Sequence, residues 1–164
     1  MAEQGNGNME AANSEGEGRG IELQVIGQYI KDLSFENPHV GRLQMKDGEN
    51  PTLNVEVNVE VERASQDVYE SAIHLTANAN YSGGKIYLLE VKYGGLFQIK
   101  NAPPQALEPL TLVNCPTLLF PFLRRIVADV TRDGGYPPLM LDPIDFGLLF
   151  LRRQQELAQR SEKQ

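Results

Sequence analysis

The side chains able to do covalent or acid–base chemistry are few: His39 and His74, the single cysteine Cys115, and one close pair of carboxylates, Asp142 and Asp145. Structural and catalytic zinc sites draw several nitrogen or sulfur ligands from short, recurrent spacings, and two histidines and one cysteine scattered over the chain supply none. Cys115 has no histidine near it in sequence to draw off its proton. Asp142 and Asp145 flank Pro143 where a helical pattern starts, so a turn residue and a helix cap account for them more simply than a general acid and base. Glycine pairs at 83–84, 94–95 and 134–135 do not sit between a strand and a helix N-terminus, as phosphate binding requires. No GxSxG, P-loop or GxGxxG spacing is present. These residues predict a binding protein rather than an enzyme, with no metal and no cofactor.

The whole chain narrows the partner. With 164 residues and 41% hydrophobic content it amounts to one domain with a modest core, which association with further copies would help to complete. A formal net charge of −7 argues against nucleic acid or an anionic membrane as partner, because both require a positive potential. One cysteine excludes an internal disulfide, and with no secretory leader pattern at the start of the sequence a reducing, cytoplasmic setting is expected. No apolar run is expected to approach the roughly 18 residues of a membrane span, hence no direct membrane insertion.

Residues 1–20, rich in Gly, Asn, Glu, Ser and Ala, cannot repay their ordering entropy by burial and are expected to form a disordered tail. From residue 21 to 36, Leu23, Val25, Tyr29, Leu33 and Phe35 fall on one parity and Gln24, Gln28, Asp32, Ser34 and Glu36 on the other, with Ile26, Ile30 and Lys31 breaking the alternation. This is strand periodicity. A loop rich in Gly, Pro and Asn follows and carries His39 as a surface residue. Leu53, Val55, Val57, Val59 and Val61 then alternate with Asn54, Glu56, Asn58, Glu60 and Glu62, the pattern of a sheet wet on one face. A third strand repeats it, with His74 on the wet face. The glycine pair at 83 marks a hairpin, and the pair at 94 is expected to be a bulge or bend in the fourth strand.

After Pro103 the period becomes helical. Leu119, Phe122, Leu123, Ile126, Val127 and Val130 predict an amphipathic helix capped by Asn114, bent at Pro121 and stopped at Gly134. A last helix capped by Asp145 carries Phe146, Leu149, Phe150 and Leu157 on one face, and residues 159–164 are expected to fray. Four antiparallel strands followed by two helices make an α+β domain over residues 21–158.

Between the helices lies GGYPPLMLDPIDFGLLF, in which prolines 137, 138 and 143 prevent a continuous helix and remove ladder donors. Residues 136–143 should therefore be extended connecting chain. An apolar connection at a surface must pack on the domain, lie under another subunit, or serve as a binding surface.

The segments YIKDLSFENP, EVKYGGLFQI and CPTLLFPFLRRIVADVTRDGGYPPLMLDPIDFGLLF, with the final helix, resemble the SecB protein-export chaperone family from about Ile21 to Ala158. The resemblance implies a bacterial, cytoplasmic homotetramer, a dimer of dimers with helices between two sheets. It implies an ATP-independent holdase that keeps secretory precursors unfolded and passes them to the translocation ATPase SecA. Positions matching those that meet the basic, zinc-binding tail of SecA are Asp32, Glu36, Leu88 and Glu90. Client contact would fall to Tyr136, Pro137, Pro138, Leu139, Leu141, Phe146, Leu149 and Phe150. Some relatives carry a tryptophan in the loop before the second strand, and KDGENP has none. Two other readings remain: a SecB-like chaperone dedicated to a toxin–antitoxin pair, and a small enzyme built on Asp142 and Asp145.

Overall fold

The computed structural model describes residues 19–42 and 46–163. The expected tail therefore lies outside the described residues except for its last two positions. Four strands, β1 (Glu22–Glu36), β2 (Thr52–Ser65), β3 (Val68–Tyr81) and β4 (Gly84–Lys100), pair antiparallel in the order β1-β4-β3-β2. Three helices follow, α1 (Pro104–Pro109), α2 (Cys115–Asp133) and α3 (Phe146–Glu162), and a π-helical turn, Leu110–Asn114, joins α1 to α2. This is the expected α+β order. Residues 159–162, expected to fray, are the last helical residues of α3.

The inner face of the sheet is built by the period-2 patterns. Ile73, Leu75 and Ala77 of β3 meet Tyr93, Val91 and Leu89 of β4, all buried, and Leu119, Leu123 and Val127 of α2 lie on them. Burying each such large side chain fully is worth about 1.5–3 kcal/mol. On β2 only Val59 is buried, while Leu53 and Val55, on the same face, stay exposed because the strand runs out beyond the helix layer.

Strand β1 departs from simple alternation at two bulges, between Val25 and Gly27 and between Ile30 and Asp32. Each extra residue, Ile26 and Lys31, reverses the side-chain phase. Gln28, expected on the polar face, thus points inward and accepts from the Tyr93 hydroxyl at 3.1 Å. Tyr29, expected on the apolar face, points outward and donates to Glu70. The second bulge restores the phase, so Asp32, Ser34 and Glu36 remain on the outer face.

Gly94 and Gly95 mark no bulge in β4, whose pairing to β3 runs unbroken through Ala72 and Ser71. Their reason is close approach on both faces. A Cβ on Gly95 would stand 2.9 Å from Leu119 Cδ2, and one on Gly94 would stand 3.2 Å from Lys31 Cδ. Gly94 lets Tyr29 and Lys31 cross β4 to reach Glu70; Gly95 lets α2 settle on the sheet.

The helix expected to begin at Asn114 starts ten residues earlier, and Asn114 is helical with no capping bond. Pro116 explains the interruption that the sequence presents as a start. The π turn carries the Leu112 carbonyl clear of the Pro116 ring, which would press on it in a regular helix. Within that turn Cys115 N–H donates to the Leu110 carbonyl, whereas the Thr111 carbonyl would need the N–H that Pro116 lacks. Ser71, fully buried on β3, supplies it instead: its hydroxyl donates to that carbonyl at 2.8 Å.

Joined in this way, residues Pro104–Asp133 form a helix long and apolar enough by length and composition to cross a membrane. That corrects the expectation of no such run. Its apolar side is nonetheless committed to the sheet through Leu119, Leu123 and Val127.

At its end, Gly135 N–H bonds the Arg132 carbonyl at 3.0 Å and Tyr136 N–H the Thr131 carbonyl at 3.2 Å, a Schellman cap with Gly135 at φ 92°. Gly134, the cap residue, is needed for space: a Cβ there would lie 2.4 Å from the Phe35 ring.

Candidate functional site

Residues 136–145 have no regular secondary structure, as their prolines require, and the loop is pinned from within. Thr131, fully buried, donates to the Val127 carbonyl at 2.8 Å and accepts from Leu139 N–H at 2.8 Å. Asn37 donates to the Gly134 carbonyl at 2.8 Å and accepts from the Tyr136 hydroxyl. Tyr136 also rests its ring 5.2 Å from Tyr87, which in turn lies 5.6 Å from Phe35. Burial raises the Tyr136 hydroxyl pKa despite the Asn37 bond that lowers it. Asp145 caps α3, accepting from Leu148 N–H at 2.9 Å, while Asp142 is exposed in the loop.

The expected client residues therefore divide. Leu141 and Phe146 are buried in the core, Phe146 edge-on to Phe120 at 6.1 Å, and in this chain they support the loop rather than offer a surface. Leu139, Leu149 and Phe150 are half-buried, Pro137 and Pro138 exposed. Tyr136 and Pro137 form one wall of an apolar groove of about 330 Å³. Ile86, Tyr87 and Ala79 make its floor, and Pro51, Thr52 and Leu53, at the start of β2, its other wall. Sequence reasoning found one wall only. Leu53 carried a signal, since it sits on the apolar parity at a strand end where no helix reaches.

The outer face of the sheet brings the other group together. Glu36 pairs with Leu88 and Ser34 with Glu90, and Asp32 stands opposite Lys92. Asp32, Glu36, Leu88 and Glu90 thus share one end of one face. Glu36 has Lys85 at 3.8 Å, and Glu60 of β2 has Lys92 at 2.9 Å, a bond that lowers the Glu60 pKa. Further along, burial would raise the Glu70 pKa, but bonds from Lys31 and Tyr29 outweigh it and bring the carboxyl below its usual value. Burial and the Glu70 bond push the Tyr29 hydroxyl up to about 12. His74 lies on this face between Asn58 and Lys92, and His39 is exposed in the turn after β1.

Cys115 is fully buried inside the helix, and burial pushes its thiol up to about 12, far from the thiolate a nucleophile needs. Among the described residues no three of His, Cys, Asp and Glu are grouped as a metal would require.

Fold and surfaces together define the class: a four-stranded sheet backed by a long interrupted helix, with an apolar groove at one end and a carboxylate-bearing outer face. The chain belongs to the SecB family, whose model, described as preprotein translocase subunit SecB, matches residues 16–157. A protein-export protein SecB from Parvibaculum lavamentivorans is 45% identical over 157 residues, covering 95% of this chain and 94% of the relative. Another, from Ruegeria pomeroyi, is 46% identical over 149 residues, covering 87% and 90%. In three dimensions the chain is similar to a SecB-like chaperone of Mycobacterium tuberculosis, solved with a peptide from an antitoxin. The TM-score is 0.63 at 16% identity, over 74% of this chain and 90% of that one.

Proposed function

We propose that this chain is an ATP-independent holdase of the bacterial cytoplasm, which binds unfolded secretory precursors and delivers them to SecA. The observation that carries the reading is the pairing of an apolar groove with an acidic sheet face in a chain of this family. Apolar burial is non-directional, so a groove of Leu53, Ile86, Tyr87 and Pro137 tolerates many client sequences. Prolines 137 and 138 hold one rim in a fixed conformation, reducing the ordering cost of binding. Asp32, Glu36 and Glu90 with Leu88 offer a complementary field and one apolar contact to the basic tail of SecA. Chemistry on the client is not required.

Assembly as a dimer of dimers is supported by apolar surface left open on the protomer. Val25, Ile30 and Leu33 of the edge strand and Leu118 and Phe122 of α2 are exposed. Tyr93 links the two groups, paired with Ile30 and stacked 6.4 Å from Phe122. Patches of this kind mark protein interfaces.

A second reading, a chaperone dedicated to a toxin–antitoxin pair, has the fold similarity to the mycobacterial protein in its favour. The protein-export relatives, far more similar in sequence, favour precursors as clients. A pull-down from cytosol in which export is arrested tests both: unfolded precursors and SecA should be recovered together. Recovery of one antitoxin without SecA would overturn the proposal.

A further inference from the structure

Each wall of the apolar groove is tied down by a polar side chain from outside it. On one side Asn37 accepts from the Tyr136 hydroxyl. On the other, Pro51, Thr52 and Leu53 stand at the start of β2, whose pairing with β3 begins only at Thr52, opposite Asn80. Just upstream, Glu49 makes the tie. One of its carboxylate oxygens accepts from Ser82 N–H at 2.6 Å, in the hairpin between β3 and β4, and the other from Lys46 N–H at 3.1 Å. Glu49 N–H also donates to the Lys46 carbonyl at 3.0 Å, closing a tight turn that Gly48, at φ 82°, makes possible. Donors from Ser82, ahead of Lys46, hold the Glu49 carboxyl below its usual pKa, so at neutral pH both bonds are charge-assisted.

We propose that Glu49 is a positioning residue for the apolar groove, whose carboxylate fixes the wall of Pro51, Thr52 and Leu53 at one distance from the floor before a client arrives. The inference rests on the holdase reading. Ser82 lies in the hairpin joining the two strands that supply the floor residues Ala79, Ile86 and Tyr87, so a bond to it references wall to floor directly. Glu49 does not line the groove and acts through Pro51. That proline has its own φ locked and restricts Asn50 to extended backbone, so the position set at Glu49 carries stiffly to the wall. A wall already held in place has less freedom to lose when a client binds.

The test uses the full chain and a fluorescein-labelled peptide in which leucine alternates with glutamine, a repeat without charge on which loss of a carboxylate has no direct Coulomb effect. Leu53→Ser with Pro137→Ser should weaken its binding and so place it in the apolar groove. Glu49→Ala should raise its dissociation constant about fivefold, chiefly through a faster off-rate, with the melting temperature unchanged. Glu49→Gln keeps an acceptor oxygen for Ser82 N–H and should stay within about twofold of the parent. Hydrogen exchange read by mass spectrometry should quicken over residues 46–54 in the alanine variant and not in the glutamine variant. Unchanged or tighter peptide binding by Glu49→Ala would overturn this inference and leave the holdase reading standing. So would unchanged exchange in that variant, or a glutamine variant that behaves like alanine. Failure of the parent to bind the peptide, or binding that survives Leu53→Ser with Pro137→Ser, would remove both readings.

Discussion

The outer face of the sheet and the loop between α2 and α3 spend their residues in opposite ways. On the outer face the side chains proposed to bind are distinct from those that hold the fold: Glu36 and Glu90 point away from Phe35, Leu89 and Val91, which face inward. In the loop the two tasks share one short stretch. Leu141 and Phe146 are core residues, Tyr136 is bonded to Asn37, and Pro137 beside them is open. Alternation in a strand separates binding from stability residue by residue, whereas an irregular loop must divide them position by position.

The largest effect should come from the loop's buried members. Phe146→Ala removes an aromatic ring from the core and should cost about 3–5 kcal/mol, read as a lower midpoint in chemical denaturation. A loss under 1 kcal/mol would mean that Phe146 is free to serve clients directly.

Next are the surface substitutions. Leu53→Ser with Pro137→Ser strips both walls of the apolar groove and should raise the dissociation constant for an unfolded precursor about tenfold. Stability should hold within about 1 kcal/mol, because Leu53 is 46% exposed and Pro137 is also exposed. Suppression of precursor aggregation reads the first quantity and thermal melting the second.

The two glycines of β4 compare the faces directly. Gly95→Ala presses on Leu119 and the Gly27 carbonyl and should cost about 1–3 kcal/mol. Gly94→Ala meets chiefly the flexible Lys31 side chain and should cost less than about 1 kcal/mol. The reverse order would show that the helix layer is not in close contact with the sheet there.

A smaller effect concerns acid. Glu70 has a folded pKa below its usual value, so its contribution is fully present at neutral pH and is lost as pH falls through that lowered pKa. Glu70→Gln should flatten the loss of stability on acidification below the ordinary carboxylate range. Denaturation midpoints measured in that range and at neutral pH will check it.

How much of this was legible in sequence depended on whether a rule was local. The alternation of β2 and β3, the hairpin at Gly83 and the Asp145 cap follow from neighbouring residues and were read directly. The bulges at Ile26 and Lys31 appeared as broken alternation, but the resulting inward turn of Gln28 depends on pairing with β4. The helix start was misread because Asn114 followed closely by Pro116 has the form of a cap and a first turn; what carries the helix past Pro116 is Ser71, some forty residues away in sequence. Of the candidate sites, the acidic set came from the family resemblance, and strand parity put its members on one face. The groove was half legible, because the wall from Pro51 to Leu53 is brought to Tyr136 only by the fold.

The central claim is that the two surfaces act independently, one for SecA and one for clients. It is tested most directly by calorimetric titration of the isolated basic tail of SecA into three proteins: the parent, Glu36→Lys with Glu90→Lys, and Leu53→Ser with Pro137→Ser. Close interfacial charge pairs are worth about 1.5–7 kcal/mol, so the acidic-face variant should lose binding by tenfold or more while the groove variant titrates like the parent. Unaltered binding to the acidic-face variant, or lost binding to the groove variant, would contradict the assignment.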